Sequence, residues 1–543
     1  MKKITGEIWK EAILSGSNNI QNKKTAINAL NVFPVPDGDT GSNMASTIAA
    51  AVEIQNIKNG QNLAEASRVI AQNMLLSARG NSGVILSQIF KGFANGFKGK
   101  EEASPFDLVN AFEQAAKVAY GAVLKPIEGT ILTVIREVAE GLKDNVVVDS
   151  NIEDVLDIAL QLARKSCDNT PNLLKVLKEV GVTDSGGEGL YAILEGMKAY
   201  FDGEAIEISD KEDTINKFIS DTEVFSGEFG YCTEFILELY KPKKFDKDYL
   251  IKKLEKIGSS MVVVQDESIL KIHIHTQKPG AVLSSVNSIG QFLKVKIDNM
   301  TLQANNSKET AKKNSNDEAC ENKHSAGCAL ISCNAGQGII DMVQDYGVSY
   351  VVEGGQTNNP SIQDIVNAIN SVAAKTVFIL PNNSNITLSA QQAATIVRNK
   401  KVIIIPTKSQ AQCLGVAMNF SPENSAKENQ TLMNDALKTI QYGEIAPSVK
   451  DTKLNGIKVK KGDFMVISAN KLVSTAKTYN EAAIKLVDDL VSDDTEIVTI
   501  FYGQDASEAD AKELQNYIEI NYNVEVEVYS GGQTIYPYLI SAQ

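Results

Sequence analysis

Along residues 1–205 apolar side chains recur every three or four positions and alternating β-branched runs are scarce, the pattern of packed amphipathic helices. Ser104 and Pro105 open one such helix. Serine caps, proline suits the first turn, Asp107 follows three residues after the cap, and Leu108, Phe112, Ala115 and Ala119 then share a face. Residues 151–163 repeat the arrangement with Val155, Ala159 and Leu162. These patterns predict a helical bundle or helical barrel with Gly-rich loops between helices, where such folds hold ligands. The period changes after Asp202. Residues 235–240, 261–264 and 270–276 predict strands, with a helix over 247–257, so that 206–303 reads as an α+β middle domain. Residues 304–327 are rich in Asn, Lys, Glu and Ser and predict a linker. Over 328–543, strands at 329–332, 350–352, 376–380, 402–405, 497–502 and 524–529 alternate with helical segments, which predicts an α/β domain with a mostly parallel sheet.

A chain of 543 residues needs several cores. The net charge of -14 argues against a nucleic-acid partner. No apolar run is long enough to cross a bilayer, and residues 1–10 have no signal-peptide core. The six cysteines are scattered and form no CxxC pair, so a reduced, cytoplasmic protein is expected.

Candidate chemistry concentrates in Asn31-Val-Phe-Pro-Val-Pro-Asp-Gly-Asp-Thr-Gly-Ser-Asn-Met44. The prolines stiffen the approach, and Gly38 and Gly41 allow a sharp turn. Asp37 and Asp39 can then converge on a hard cation, as magnesium sites require. Thr40, Ser42 and Asn43 can donate to phosphate. Asp-Gly-Asp on its own is a weak signal, common in ordinary turns and in calcium loops. Three more loops join Gly to hydroxyls: Ser77-Ala-Arg-Gly-Asn-Ser-Gly83, Lys125-Pro-Ile-Glu-Gly-Thr130 and Val182-Thr-Asp-Ser-Gly-Gly-Glu-Gly189. Each alone is compatible with a plain helix connection. Four in one helical segment favour a nucleotide site, although the P-loop and the GxGxxG fingerprint are both absent.

Asp37 to Met44, Ser82-Gly83, Gly129-Thr130 and Asp184-Ser-Gly-Gly187 resemble the nucleotide-binding domain of dihydroxyacetone kinases. That resemblance implies an all-α antiparallel helical barrel holding ATP or ADP and a pair of magnesium ions. The metal positions would fall on Asp37, Asp39 and an upstream residue, where this chain carries Asn31 with the spacing altered by one. Thr40, Gly41, Ser42, Asn43, Met44, Asn81, Ser82, Gly83, Gly129, Thr130, Asp184 and Gly186 become the nucleotide-binding candidates. Arg79 can neutralise developing charge or make a structural ion pair. The longer form Asn31 to Gly41, together with Leu132-Thr-Val134, Lys271-Ile-His-Ile-His-Thr276, Gly354-Gly-Gln-Thr-Asn-Asn-Pro360 and Gly531-Gly-Gln-Thr-Ile-Tyr536, is similar to the ATP-binding subunit of fatty acid kinases over nearly the whole chain.

Within the strand at 270–276, His273 and His275 fall on one face while Leu270, Ile272 and Ile274 fall on the other. Cys232 begins a neighbouring strand. The trio fits a zinc site as well as it fits surface histidines near a buried cysteine; the resemblance, whose middle domain binds Zn2+, favours zinc.

The C-terminal domain looks like a degenerate form of the DegV-like fatty-acid carrier fold. Its polar strand-end loops at 332–336, 355–358, 381–385 and 406–409 fit plain turns or a docking surface for a separate lipid-loaded carrier protein. The resemblance thus implies ATP-dependent phosphorylation of a carrier-bound fatty acid to an acyl phosphate, serving phospholipid synthesis from exogenous fatty acids. A homodimer is expected, with transient membrane proximity through the carrier. The alternatives are a hydroxy-ketone kinase subunit, or an ADP/ATP-sensing scaffold without turnover.

Overall fold

The computed structural model describes residues 2–31, 38–52, 62–208, 231–242, 245, 247–254, 256–266, 269–299, 327–355, 358–448, 451–454 and 456–543. Residues 1–208 and 325–543 form one compact unit, and residues 209–324 form another. The sequence-predicted linker at 304–327 lies, but for Gly327, outside the described residues.

The helical part of the first unit comprises α1 (Gly6–Leu30), α2 (Thr40–Val52), α3 (Leu63–Ser77), α4 (Gly80–Gly96), α5 (Pro105–Gly121), α6 (Ile131–Asn145), α7 (Ile152–Leu173), α8 (Lys175–Val180) and α9 (Ser185–Phe201). Local chemistry sets the starts. Ser104 and Asp107 form a capping box at α5, with Pro105 in the first turn, and Asn151 and Asp154 do the same at α7. Trp9 packs edge-on against Phe93 (5.4 Å) and Phe97 (5.1 Å), and Phe93 against Phe112 (4.9 Å). This aromatic plug sits near the start of α1. At about 1.5 Å per residue, the far end of α1 at Asn31 lies roughly 30 Å away.

In the second unit, β1 (Tyr231–Leu239), α10 (Lys247–Leu254), β2 (Ser259–Asp266), β3 (Ile269–Thr276), α11 (Pro279–Val286) and β4 (Gly290–Asn299) build an antiparallel sheet in the order β2-β3-β1-β4. Leu270, Ile272 and Ile274 are fully buried with Phe235 and Leu237, as alternation required.

Among the described residues, the C-terminal part of the first unit holds two larger sheets and a two-stranded pair rather than one sheet. β5 (Cys328–Asn334), α12 (Gln337–Asp345), β6 (Tyr350–Glu353), α13 (Ile362–Ser371), β7 (Thr376–Leu380), α14 (Ser384–Ile396) and β8 (Lys401–Ile404) give a fully parallel sheet, order β6-β5-β7-β8. After α15 (Gln410–Ala417) and α16 (Ala426–Thr439) come β9 (Gln441–Pro447), the small pair β10 (Thr452–Leu454) and β11 (Ile457–Val459), β12 (Phe464–Ser468), β13 (Lys471–Ala476), α17 (Tyr479–Leu490), β14 (Ile497–Tyr502), α18 (Glu508–Asn521), β15 (Glu525–Ser530) and β16 (Tyr538–Ala542). The second sheet, β13-β12-β9-β16-β14-β15, is antiparallel except for β14-β15. The expectation of a mostly parallel sheet therefore holds for β5–β8 only.

Candidate functional site: a cavity ringed by helix starts

Four loops of the helical part open onto one cavity of about 340 Å³, whose wall includes Asn31, Asp39, Thr40, Asn81, Thr130 and Asp184. Each loop ends in a helix N-terminus: α2 at Thr40, α4 at Gly80, α6 at Ile131 and α9 at Ser185. The first turn of a helix exposes unpaired N–H groups and the positive end of its dipole. Converging starts therefore make a cavity suited to anionic oxygens. Ser384 and Asn385, at the start of α14 in the C-terminal part, also line it.

Asp39 is 7% exposed and accepts the Asn43 N–H on its backbone carbonyl (2.8 Å), so it starts α2. Asp37 lies outside the described residues. Asn31 caps the C-terminus of α1 and is buried at the cavity wall. Asn43 lines the cavity as well. Between and beside these, exposed Ser42 exchanges hydrogen bonds with Asn28 (2.9 and 3.1 Å), and Met44 is fully buried in the helical core. Gly41 and Gly83 mark close helix approaches, since a Cβ there would meet the Lys24 carbonyl at 2.4 Å and the Thr47 hydroxyl at 2.4 Å.

Around α4, Gly80 has φ +58° and a Cβ there would fall 2.5 Å from the Asn43 amide. Asn81 and Ser82 line the cavity. Arg79 takes the cap position before α4, and its Nη1 donates to the Asn359 carbonyl (3.1 Å).

The Gly129–Thr130 loop is pinned by Glu128, which the motif reading passed over. Its carboxylate accepts from Thr133 (2.6 Å), Tyr120 (2.9 Å) and Arg136 (3.0 Å). Those hydrogen bonds, the one from Thr133 foremost, hold its pKa below the ordinary value against partial burial. Thr133 in turn accepts the Gly129 N–H at 2.8 Å, and Gly129 turns with φ +82°.

Asp184 caps α9, accepting the Gly187 N–H at 2.7 Å. Burial pushes its pKa up to about 6, although N–H groups of Gly187, Ile131 and Gly186 pull it down. One carboxylate thereby ties the starts of α9 and α6 together. Gly186 lies against Ile131 at the cavity wall.

The zinc candidates fall in the second unit. The strand register sets Cys232 directly opposite His275, and Glu234 opposite His273. The side chains of Cys232, His273 and His275 lie outside what is described. Among the described residues no cluster of His, Cys, Asp or Glu forms a metal site, and no helix is long and apolar enough to cross a membrane.

Comparisons with known proteins follow this division. Residues 34–199 match the DAK2 domain, residues 228–307 the middle domain of FakA-like fatty acid kinase proteins, and residues 329–543 the C-terminal domain of the same FakA-like family. An uncharacterized protein of Staphylococcus epidermidis is 37% identical over 552 residues, and protein YloV of Bacillus subtilis is 38% identical over 555, each covering 100% of both chains. Among solved structures, a DegV family protein from Corynebacterium glutamicum has a TM-score of 0.32 at 14% identity, covering 40% of this chain and 96% of its own. The dihydroxyacetone kinase of C. freundii has a TM-score of 0.31 at 11% identity, covering 40% and 48%. By the full-length likeness to its relatives and the matches of all three segments, the chain belongs to the FakA-like fatty acid kinase family.

Proposed function

We propose that the chain is an ATP-dependent kinase that phosphorylates the carboxylate of a fatty acid held by a separate carrier protein. The observation that carries this reading is the convergence of four helix N-termini on one cavity with Asp39 in its wall. Such a site suits a polyphosphate and a divalent cation, and the family match supplies the fatty acid.

The donor set suits magnesium. A nearly buried carboxylate, the hydroxyl of Thr40 and the amide of Asn31 are hard oxygen donors around the same cavity. Asp39 and Asp37, with Asn31 as an uncharged third position, would hold a pair of Mg2+ ions. Bound there, the ions would offset the charge of the phosphate oxygens. The N–H groups in the first turn of α4, around Asn81, Ser82 and Gly83, would receive phosphate oxygens, while Asp184, by holding the N–H groups of Ile131, Gly186 and Gly187, keeps the Gly129–Thr130 and Asp184–Gly186 loops in place beside them. Arg79 sits at the edge of this arrangement.

The fatty acid carboxylate, with an ordinary pKa of about 4 to 5, is already ionised near neutral pH and needs no general base. Its oxygen attacks the γ-phosphorus, the bond to the β,γ-bridging oxygen breaks, and ADP leaves with that electron pair. The product is an acyl phosphate. What this chain supplies is position and charge compensation.

In the middle domain, Cys232, His273 and His275 are proposed to hold a Zn2+, the thiolate and imidazoles being standard ligands. The register of Cys232 against His275 supports this reading. The C-terminal part is proposed to help dock the carrier, with the chain acting as a cytoplasmic homodimer. The test is ATP consumption by the full chain with Mg2+, oleate and a lipid-loaded carrier of the DegV type. Consumption that depends on both oleate and carrier supports the reading. Consumption driven by dihydroxyacetone instead would replace it with a hydroxy-ketone kinase.

A further inference from the structure

Asp39 is gripped from the other end of the chain. The Nδ2 of Asn359 donates to Asp39 Oδ2 at 2.6 Å across 320 residues of sequence, and Asn359 is 1% exposed. A carboxylate this buried needs donors. An amide provides one without adding a charge, and the Asn359 N–H takes one of the roughly four acceptor sites of a carboxylate. Asn359 is therefore built to orient Asp39 rather than to neutralise it.

Asn359 is itself fixed on several sides. Its carbonyl accepts from Arg79 Nη1 at 3.1 Å. Arg79 and Ser361 form an antiparallel bridge, and the Ile362 N–H reaches the Ala78 carbonyl at 3.2 Å. Ser361 begins α13 with a capping box to Asp364, and Gly354 is tied to Asn334 at the end of β5 (3.1 Å). Beneath this seam, Ala78 and Val84 of the helical part are fully buried in the same apolar cluster as Ile331, Ile362 and Ile379. A second amide pair, Asn81 to Asn385 at 3.0 Å, repeats the contact farther along α4. Finally, Asn359 Oδ1 is buried without a hydrogen-bond partner among the described residues. Such an acceptor suits a water of a magnesium shell, because magnesium keeps several of its waters.

We propose that Asn359 is a positioning residue for the metal-binding carboxylate Asp39, so that the C-terminal α/β part completes the phosphoryl-transfer site. This rests on the kinase reading above. It gives the C-terminal part a role in the chemistry distinct from carrier docking. The seam from Ala78 to Asn81 is the physical link.

The experiment measures binding of a non-hydrolysable ATP analogue to the full chain while Mg2+ is titrated, with neither fatty acid nor carrier present. Partners that orient metal ligands typically contribute about 10–100-fold to metal affinity. Asn359→Ala should raise the half-saturating Mg2+ concentration by about that factor, while analogue binding in EDTA stays near wild type and the chain stays folded by circular dichroism, with a lower melting temperature from the lost donor to the buried carboxylate. Asn367→Ala, exposed on α13 where its side chain accepts from Gln363, should leave the Mg2+ dependence unchanged. If Asn359→Ala does not fold, Asn359→Ser carries the test, since its hydroxyl is too short to reach Asp39. An unchanged Mg2+ half-saturation in a folded Asn359 variant overturns the inference alone. A wild-type chain that binds no analogue with Mg2+ overturns the kinase reading and this inference together.

Discussion

Asp39 and Asp184 are both buried carboxylates at helix starts, yet their chemistry pulls in different directions. Asp39 faces a cavity suited to a cation. Asp37→Ala or Asp39→Ala should cut acyl-phosphate formation by at least ~100-fold while circular dichroism and melting stay near wild type, because removing a metal carboxylate leaves the phosphate charge uncompensated. Turnover close to wild type in either variant would sink the metal assignment. Asp184 is held by backbone N–H groups, and burial raises its pKa to about 6. Above its unfolded pKa near 3.8, the unfolded chain loses this proton first while the folded chain keeps it. Folding is then opposed increasingly as pH climbs toward 6, and the penalty is constant above 6. Asp184→Asn keeps a capping oxygen and removes the titration. Its melting temperature relative to wild type should therefore rise between about pH 4 and pH 6 and level off beyond. A difference that stays flat across that window would contradict the assigned shift.

Elements differ in how much of themselves they write into the sequence. The helices were legible because their caps are local: Ser104 with Asp107, and Asn151 with Asp154, sit where the residue types place them. Strands 376–380 and 497–502 matched as apolar runs to the residue. The β12–β13 hairpin did not show, because its turn is Ala469–Asn470 with φ +47° and +64°, where Asn-Gly or Asp-Gly would have signalled it. Strand β9, Gln-Tyr-Gly-Glu-Ile-Ala-Pro, carries both Gly and Pro and so lacked a strand signature. Two predictions belong at this scale. Glu128→Ala should raise the KM for ATP several-fold by freeing the Gly129–Thr130 turn. It should move the melting temperature little, since an ion pair this exposed contributes about 0–1 kcal/mol; an unchanged KM would remove Glu128 from the site. On β1 and β3, elemental analysis of chain purified without chelator should find zinc, lost in His273→Ala or His275→Ala. Zinc-free, fully folded protein would end that assignment.

At the scale of the molecule, the site is shared between segments far apart in the chain. The loops at Asp37–Asp39, Ser82–Gly83, Gly129–Thr130 and Asp184–Gly186 were each visible as Gly-rich polar stretches. Their company with Asn359 and Asn385 was not, because nothing local in Gly-Gly-Gln-Thr-Asn-Asn-Pro or Pro-Asn-Asn-Ser-Asn marks a contact spanning more than three hundred residues. The cavity itself, at about 340 Å³, is near the lower end of the ~300–1,000 Å³ of small-molecule sites. In the proposed reaction it takes the nucleotide, whereas a long acyl tail gains about 0.8 kcal/mol per buried methylene only in an apolar tunnel of its own. In that proposal the tail therefore goes to a second protein that presents only the carboxylate.

That division of labour is the central claim, and trapping the acyl phosphate with hydroxylamine tests it directly. The full chain is incubated with ATP, Mg2+ and oleate, with and without a lipid-loaded carrier of the DegV type. Acyl hydroxamate is expected in quantity only when the carrier is present, and none when ATP is replaced by its non-hydrolysable analogue. Equal hydroxamate without the carrier, or none with it, would contradict the two-protein division.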